Sequence, residues 1–162
     1  MLLLLRFCCS CLLLASFSVL SAKTDEASIY QYAVQADFAA TYKTLHSGLQ
    51  AEGFRLNALP DFTAYSVSDK QYQYSVKKIN RLTIYQSQET MEISQLEPAL
   101  LALFPLRLTL IKQADMSIIL FLRPSHLAQA DSPALPLLRT IEQKIIQRIE
   151  QTLSPLASQE QP

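Results

Sequence analysis

The chain is short of side chains able to do covalent chemistry. It has two histidines, His46 and His126, and three cysteines, Cys8, Cys9 and Cys11. Around His46 the three- and four-residue spacings are filled by Leu49 and Gln50, so a helix there offers no second metal ligand on the same face. His126 follows Pro124 and Ser125 and reads as a loop side chain; used functionally, it would be a ligand contact or a single axial haem ligand. Ser125, His126 and Asp131 supply the residue types of a hydrolytic triad, but Ser125 lacks the flanking glycines of a nucleophile elbow. Glu89 and Glu92 fit one face of a short helix. A general acid–base pair needs a cleft that separates the two pKa values, and nothing in the pattern supplies one. No catalytic constellation emerges.

Binding chemistry is better represented. Arg107 stands between Leu106 and Leu108, so strand alternation puts it on the opposite face from both. If that face is open, Arg107 and Arg123 can receive an anionic ligand; otherwise they are ordinary surface charges. Tyr30 and Tyr32, then Tyr72 and Tyr74, form two alternating pairs. Such tyrosines line a groove for an aromatic or sugar ligand, or simply cover a sheet. The candidate ligand-binding residues are therefore Arg107, Arg123, His126, Tyr72 and Tyr74.

The elements that must hold them follow from periodicity. Residues 28–36 alternate as a strand. Asp37 is placed to cap a helix whose apolar stripe is Phe38, Tyr42, Leu45 and Leu49, and Gly53 provides the left-handed stop. Phe54 to Leu59 reads as a short strand. Tyr72 to Val76 suggests another, Lys77 and Lys78 a solvated turn, and Arg81 to Gln86 a further strand. Ser87 to Glu97 reads as a short helix, with Pro98 opening one more turn. The runs 106–112 and 117–123 form a hairpin at the sheet centre. In the clearest element Asp131 or Ser132 caps and Pro133 starts a helix, with a stripe of Leu138, Ile141, Ile145, Ile149 and Leu153. Glu142, Lys144, Arg148 and Glu150 occupy its other side, and Pro155 ends it. The predicted fold is α+β: one sheet of about five strands, with two main helices and one short helix packed on one face.

Composition excludes several classes. The chain has 162 residues, 49% hydrophobic and 17% charged, too apolar for disorder. Fourteen basic residues balance fourteen acidic ones, which argues against a nucleic-acid binder held by phosphate contacts. Two glycines are too few for phosphate-cradling loops. Residues 1–22 carry one charge, Arg6, then an apolar run ending in small residues, the pattern of a secretory signal peptide. Cleavage after Ser21 or Ala22 is expected, with no membrane attachment afterwards; a retained anchor is the rival reading. The cleaved chain would hold thirteen basic and fourteen acidic residues, a net charge of −1. It would hold no cysteine, and so no disulfide, thiolate metal site or cysteine nucleophile. The expected location is the bacterial periplasm, and residues 154–162 read as a flexible tail.

Three stretches resemble the bacterial domain-of-unknown-function 302 family. They are the opening strand and helix ending in Gly53–Phe54 with Asp61 beyond; Leu82-Thr83-Ile84-Tyr85 followed by a short helix and Phe104-Pro105-Leu106-Arg107-Leu108-Thr109-Leu110; and Pro124-Ser125-His126-Leu127-Ala128. The resemblance covers residues 28–153. It implies a compact, often exported and often self-associating α+β domain without a settled biochemical role. The chain departs from the family pattern at Tyr85-Gln86-Ser87-Gln88, where many members have Phe-Gly-Asn-Pro. It departs again at Phe62, where many have a histidine after the aspartate, so a metal or haem role through that histidine has no support here. The leading expectation is an exported, non-enzymatic domain that binds a small molecule or a periplasmic protein and forms a homodimer. The alternative is a haem- or metal-dependent redox protein using His126.

Overall fold

Period-two strands whose apolar side is covered by period-3.6 helices explain most of the architecture. The computed structural model describes residues 27–58, 76–85 and 87–157. The expected signal peptide at 1–22, and Tyr72 and Tyr74, lie outside these described residues. The strands are β1 (Ile29–Val34), β2 (Arg55–Ala58), β3 (Val76–Tyr85), β4 (Leu106–Gln113) and β5 (Met116–Leu122). They form one antiparallel sheet in the order β1-β5-β4-β3-β2. The helices are α1 (Phe38–Ala51), α2 (Ser87–Leu96) and α3 (Leu135–Ala157), with 3-10 turns at Pro98–Leu103 and Pro124–His126.

Register decides which side chains meet. Leu108 pairs with Leu82 on β3 and with Phe121 on β5, and Leu110 pairs with Ile119. These residues share one face. They form one buried cluster with Leu45 and Leu49 of α1, Ile93 of α2, and Leu138, Ile141, Ile145, Ile149 and Leu153 of α3. Full burial stabilises each such side chain by about 1.5–3 kcal/mol. Ile118, of opposite parity on β5, is buried but stands outside this cluster. The α+β expectation of a five-stranded sheet with helices is therefore met.

Local chemistry sets the helix ends. The Asp37 carboxylate accepts from the Ala40 N–H at 2.9 Å, and that bond lowers its pKa below the usual aspartate range. After α1, Gly53 has φ +82°, which a residue without Cβ adopts freely, and Phe54 then turns back into the core. Before α3, the Ser132 hydroxyl accepts from the Ala134 N–H at 3.2 Å.

Three local expectations need correction. Lys77 and Lys78 do not form a turn: they lie within β3, which continues from Val76 past an irregular register step between Val76 and Lys78. Lys78 Nζ sits 5.9 Å from the centre of the Phe38 ring, a cation–π contact that gives the lysine a place on a strand. Pro155 does not end α3, which runs to Ala157, so residues 154–157 of the expected tail are helical. Proline lacks the N–H that would reach the Gln151 carbonyl; the Ser154 hydroxyl donates to that carbonyl instead, at 3.2 Å. Glu142 is not on the solvated side of α3 but is buried.

At Gly48, α1 lies close against Thr152 of α3. A Cβ added there would overlap the Oγ1, Cγ2 and Cβ of Thr152. Alanine favours a helix over glycine by about 1 kcal/mol, but overpacking costs about 1–3 kcal/mol, and a β-branched threonine cannot swing aside. Gly48→Ala should therefore lower the thermal midpoint, and Gly48→Ala/Thr152→Ala should recover part of the loss. An unchanged midpoint in the single variant would show that the helices separate freely.

Candidate functional site

The sheet has two unlike faces. Four exposed large hydrophobics lie on strands: Ile29 (51% exposed), Ile79 (37%), Tyr85 (40%) and Leu122 (49%). By alternation all four point away from the helices. Arg55, Arg81 and Arg107 have the same parity, and among the described residues no strand contains an aspartate or glutamate. The charged strand residues of that face are thus all basic among the described residues.

Arg107 lies on this face as alternation predicts, exposed and opposite Thr83. The Thr83 hydroxyl is already donated to the Asn57 carbonyl at 3.1 Å. Beside Arg107, where β4 begins and β5 ends, is a depression of about 180 Å³. Its walls include Leu103, Pro105, Leu122, Pro124 and Leu127.

Arg123 does not join Arg107. It continues the parity of Phe121 and turns toward α3, where its Nε donates to Glu142 Oε1 at 2.7 Å. Glu142 Oε2 accepts from the Ser125 hydroxyl at 2.6 Å and from the Ser125 N–H at 3.3 Å. Glu142 is 2% exposed. A buried carboxylate is tolerated when it is paired and hydrogen-bonded, and this one fixes the turn after β5 onto α3. The cluster that engages Arg123 and Ser125 is therefore a structural anchor. Sequence reasoning missed Glu142. The available signal was its place four residues after Leu138 and next to Ile141, which widens the apolar stripe to include it.

The remaining candidates are dispersed. His126 ends the turn that Ser125 anchors, and its side chain is exposed. His46 is half-buried on α1, its ring centre 6.0 Å from that of Tyr42. Among the described residues, no three His, Cys, Asp or Glu side chains group as a metal site. Tyr30 and Tyr32 pack on the helix side against the core and form no outward groove. The Tyr30 hydroxyl donates to Glu150 Oε1 at 3.2 Å. Burial, the Glu150 charge and this hydrogen bond raise the Tyr30 pKa far above its ordinary value, and burial with Glu150 raises that of Tyr32.

Among the described residues, helices over one sheet face and exposed hydrophobics with arginines on the other define a compact α+β domain. The family model "Domain of unknown function DUF302" matches residues 30–154, and the chain belongs to that family. A crystal structure of an uncharacterized conserved DUF302 protein from Bacillus stearothermophilus is similar. Its TM-score is 0.62 at 19% identity, over 76% of this chain and 97% of that one, a likeness of fold. No curated protein matches the chain.

Two outcomes test the anchors. Breaking a buried ion pair from one side costs about 3–5 kcal/mol, so Glu142→Ala should lower unfolding free energy by about that amount in urea titration, and Glu142→Gln by less. A neutral effect of Glu142→Ala would show that the carboxylate is not needed to hold the turn. The raised Tyr30 pKa means that the unfolded state loses its phenolic proton first, near pH 10. Tyr30's contribution is therefore complete below that pH and falls as pH rises above it. Thermal midpoints between pH 8 and 11 should drop more steeply in the parent chain than in Tyr30→Phe; parallel curves would refute the linkage.

Proposed function

We propose that the protein is an exported, non-enzymatic domain that works by binding, with the outward face of its sheet as the contact surface and a second copy as its macromolecular partner. The observation that carries this reading is the shared parity of Ile29, Ile79, Tyr85 and Leu122. Scattered exposed hydrophobics are normal on any protein; four on one sheet face, beside arginines and without an acidic strand residue, have the composition of an interaction surface. Pairing two such faces would remove apolar area from water. Export is supported by the charge and apolar pattern of residues 1–22. Among the described residues, no helix is long and apolar enough to cross a membrane.

Chain expressed with its N-terminal segment and recovered from a bacterial periplasm should have the mass of a polypeptide starting near Lys23. Light scattering after size-exclusion should give twice that mass, and Ile29→Asp/Ile79→Asp should give the single mass with an unchanged circular dichroism spectrum. A chain found only in the cytoplasm would refute export, and an uncleaved N-terminus in the periplasmic fraction would replace the cleaved signal with a retained anchor. A parent chain that stays monomeric at every concentration would refute the self-pairing face. A Soret band on the recovered protein, lost in His126→Ala, would replace this reading with haem binding.

A further inference from the structure

We propose that the depression beside Arg107 is a binding site for a small monoanion with an apolar body, of the aromatic or short-chain monocarboxylate class. The inference deepens the binding reading above and rests on it.

Seven of the eight residues lining the depression are apolar, and the eighth is Arg107. Among the described residues, the Arg107 side chain has no hydrogen-bond or ion-pair partner. An unpaired arginine in open water is ordinary. Arg107 is exposed and stands at the wall of an apolar recess, so its donors are free to take an acceptor whose body lies against hydrocarbon. A carboxylate suits that position, since a guanidinium presents paired N–H donors that match its two oxygens. The charge count favours a monoanion: one guanidinium meets one negative charge, and no second cation lines the recess.

Size and shape limit the rest of the ligand. A cavity of about 150 Å³ lined by aliphatic side chains holds benzene, so about 180 Å³ accommodates a single ring or a short alkyl chain. Leu122 and Leu127 are 49% and 45% exposed and would be covered by such a group. A second depression, lined by Tyr85, Leu101 and Phe104, shares Pro105 with the first, which gives a longer alkyl tail a direction in which to extend.

The walls come from parts of the chain that the fold fixes independently. Pro124 precedes Ser125, whose bonds to Glu142 hold the turn; Arg107 is locked by strand register; and Leu103 and Pro105 close the 3-10 turn that leads into β4. The site is thereby largely formed before a ligand arrives, which lowers the cost of binding.

The test is a titration of 15N-labelled protein with benzoate, octanoate, benzyl alcohol and inorganic phosphate, followed by amide chemical shifts. Benzoate and octanoate should give saturable shifts confined to residues around 102–107 and 122–127. Benzyl alcohol and phosphate should bind at least tenfold more weakly. Arg107→Gln should weaken benzoate about tenfold or more, as expected for a lost charge-assisted hydrogen bond, with an unchanged thermal midpoint. Ala102→Trp, which fills the recess and keeps the arginine, should also abolish binding. Absence of saturable carboxylate shifts, equal affinity in Arg107→Gln, or phosphate binding as tight as benzoate would each overturn the proposal. Repeating the titration with Ile29→Asp/Ile79→Asp separates the two readings. A monomer that still binds benzoate leaves the site standing without the dimer, and a dimer that binds no carboxylate leaves the dimer standing without the site.

Discussion

Everything in this molecule is referred to the contact between α3 and the sheet. Five side chains of that helix, Leu138, Ile141, Ile145, Ile149 and Leu153, are almost entirely removed from water. They take with them Leu82 and Ile84 of β3, Leu106, Leu108 and Leu110 of β4, and Ile119 and Phe121 of β5. Once a strand's parity is committed to that contact, the other parity has no freedom left. Arg107, Ile79 and Leu122 face outward because Leu108, Leu82 and Phe121 face inward, and a one-residue slip of register would exchange the two sets. The composition of the outward face is therefore a by-product of the core, and its mixture of leucine, isoleucine, tyrosine and arginine is where the protein is free to specialise.

The polar contacts serve the same contact from its margins. Glu142 ties α3 to the turn after β5, Ser132 ties its start to Glu97 beyond α2, and Arg148 meets Glu52 just past α1. Each joins α3 to a different connecting segment. Hydrophobic burial is non-directional, so these pairs contribute orientation: they choose one rotation of a five-residue stripe over the neighbouring ones that would bury similar area. Gly48 adds a steric constraint of the same kind, because only a residue without a side chain lets α1 lie so close to Thr152.

The sequence made the core legible and the anchors illegible, for one reason. Alternation and helical periodicity are repeated signals, so the faces of β4, β5, α1 and α3 can be read even where boundaries shift. Arg107 was readable as an outward residue by the same logic. Arg123 was not, because it lies just past the strand, where its pairing depends on a helix nineteen positions later. Glu142 reads as a solvated glutamate unless the apolar stripe is widened to include it, and its partners Arg123 and Ser125 lie far from it in sequence. Pro155 misled because a rule about missing N–H groups cannot foresee that Ser154 supplies the substitute donor. The depression beside Arg107 combines two separate segments, 102–107 and 122–127, so no local window of sequence contains it.

The position of α3 also has a consequence in time. All five described strands, α1 and α2 are synthesised before Leu135, so a growing chain possesses that sheet while the α3 part of its cover is still unmade. Until α3 emerges, the side chains that it covers are exposed and the sheet resembles an aggregation-prone intermediate more than a domain. Closure of the core thus waits for α3.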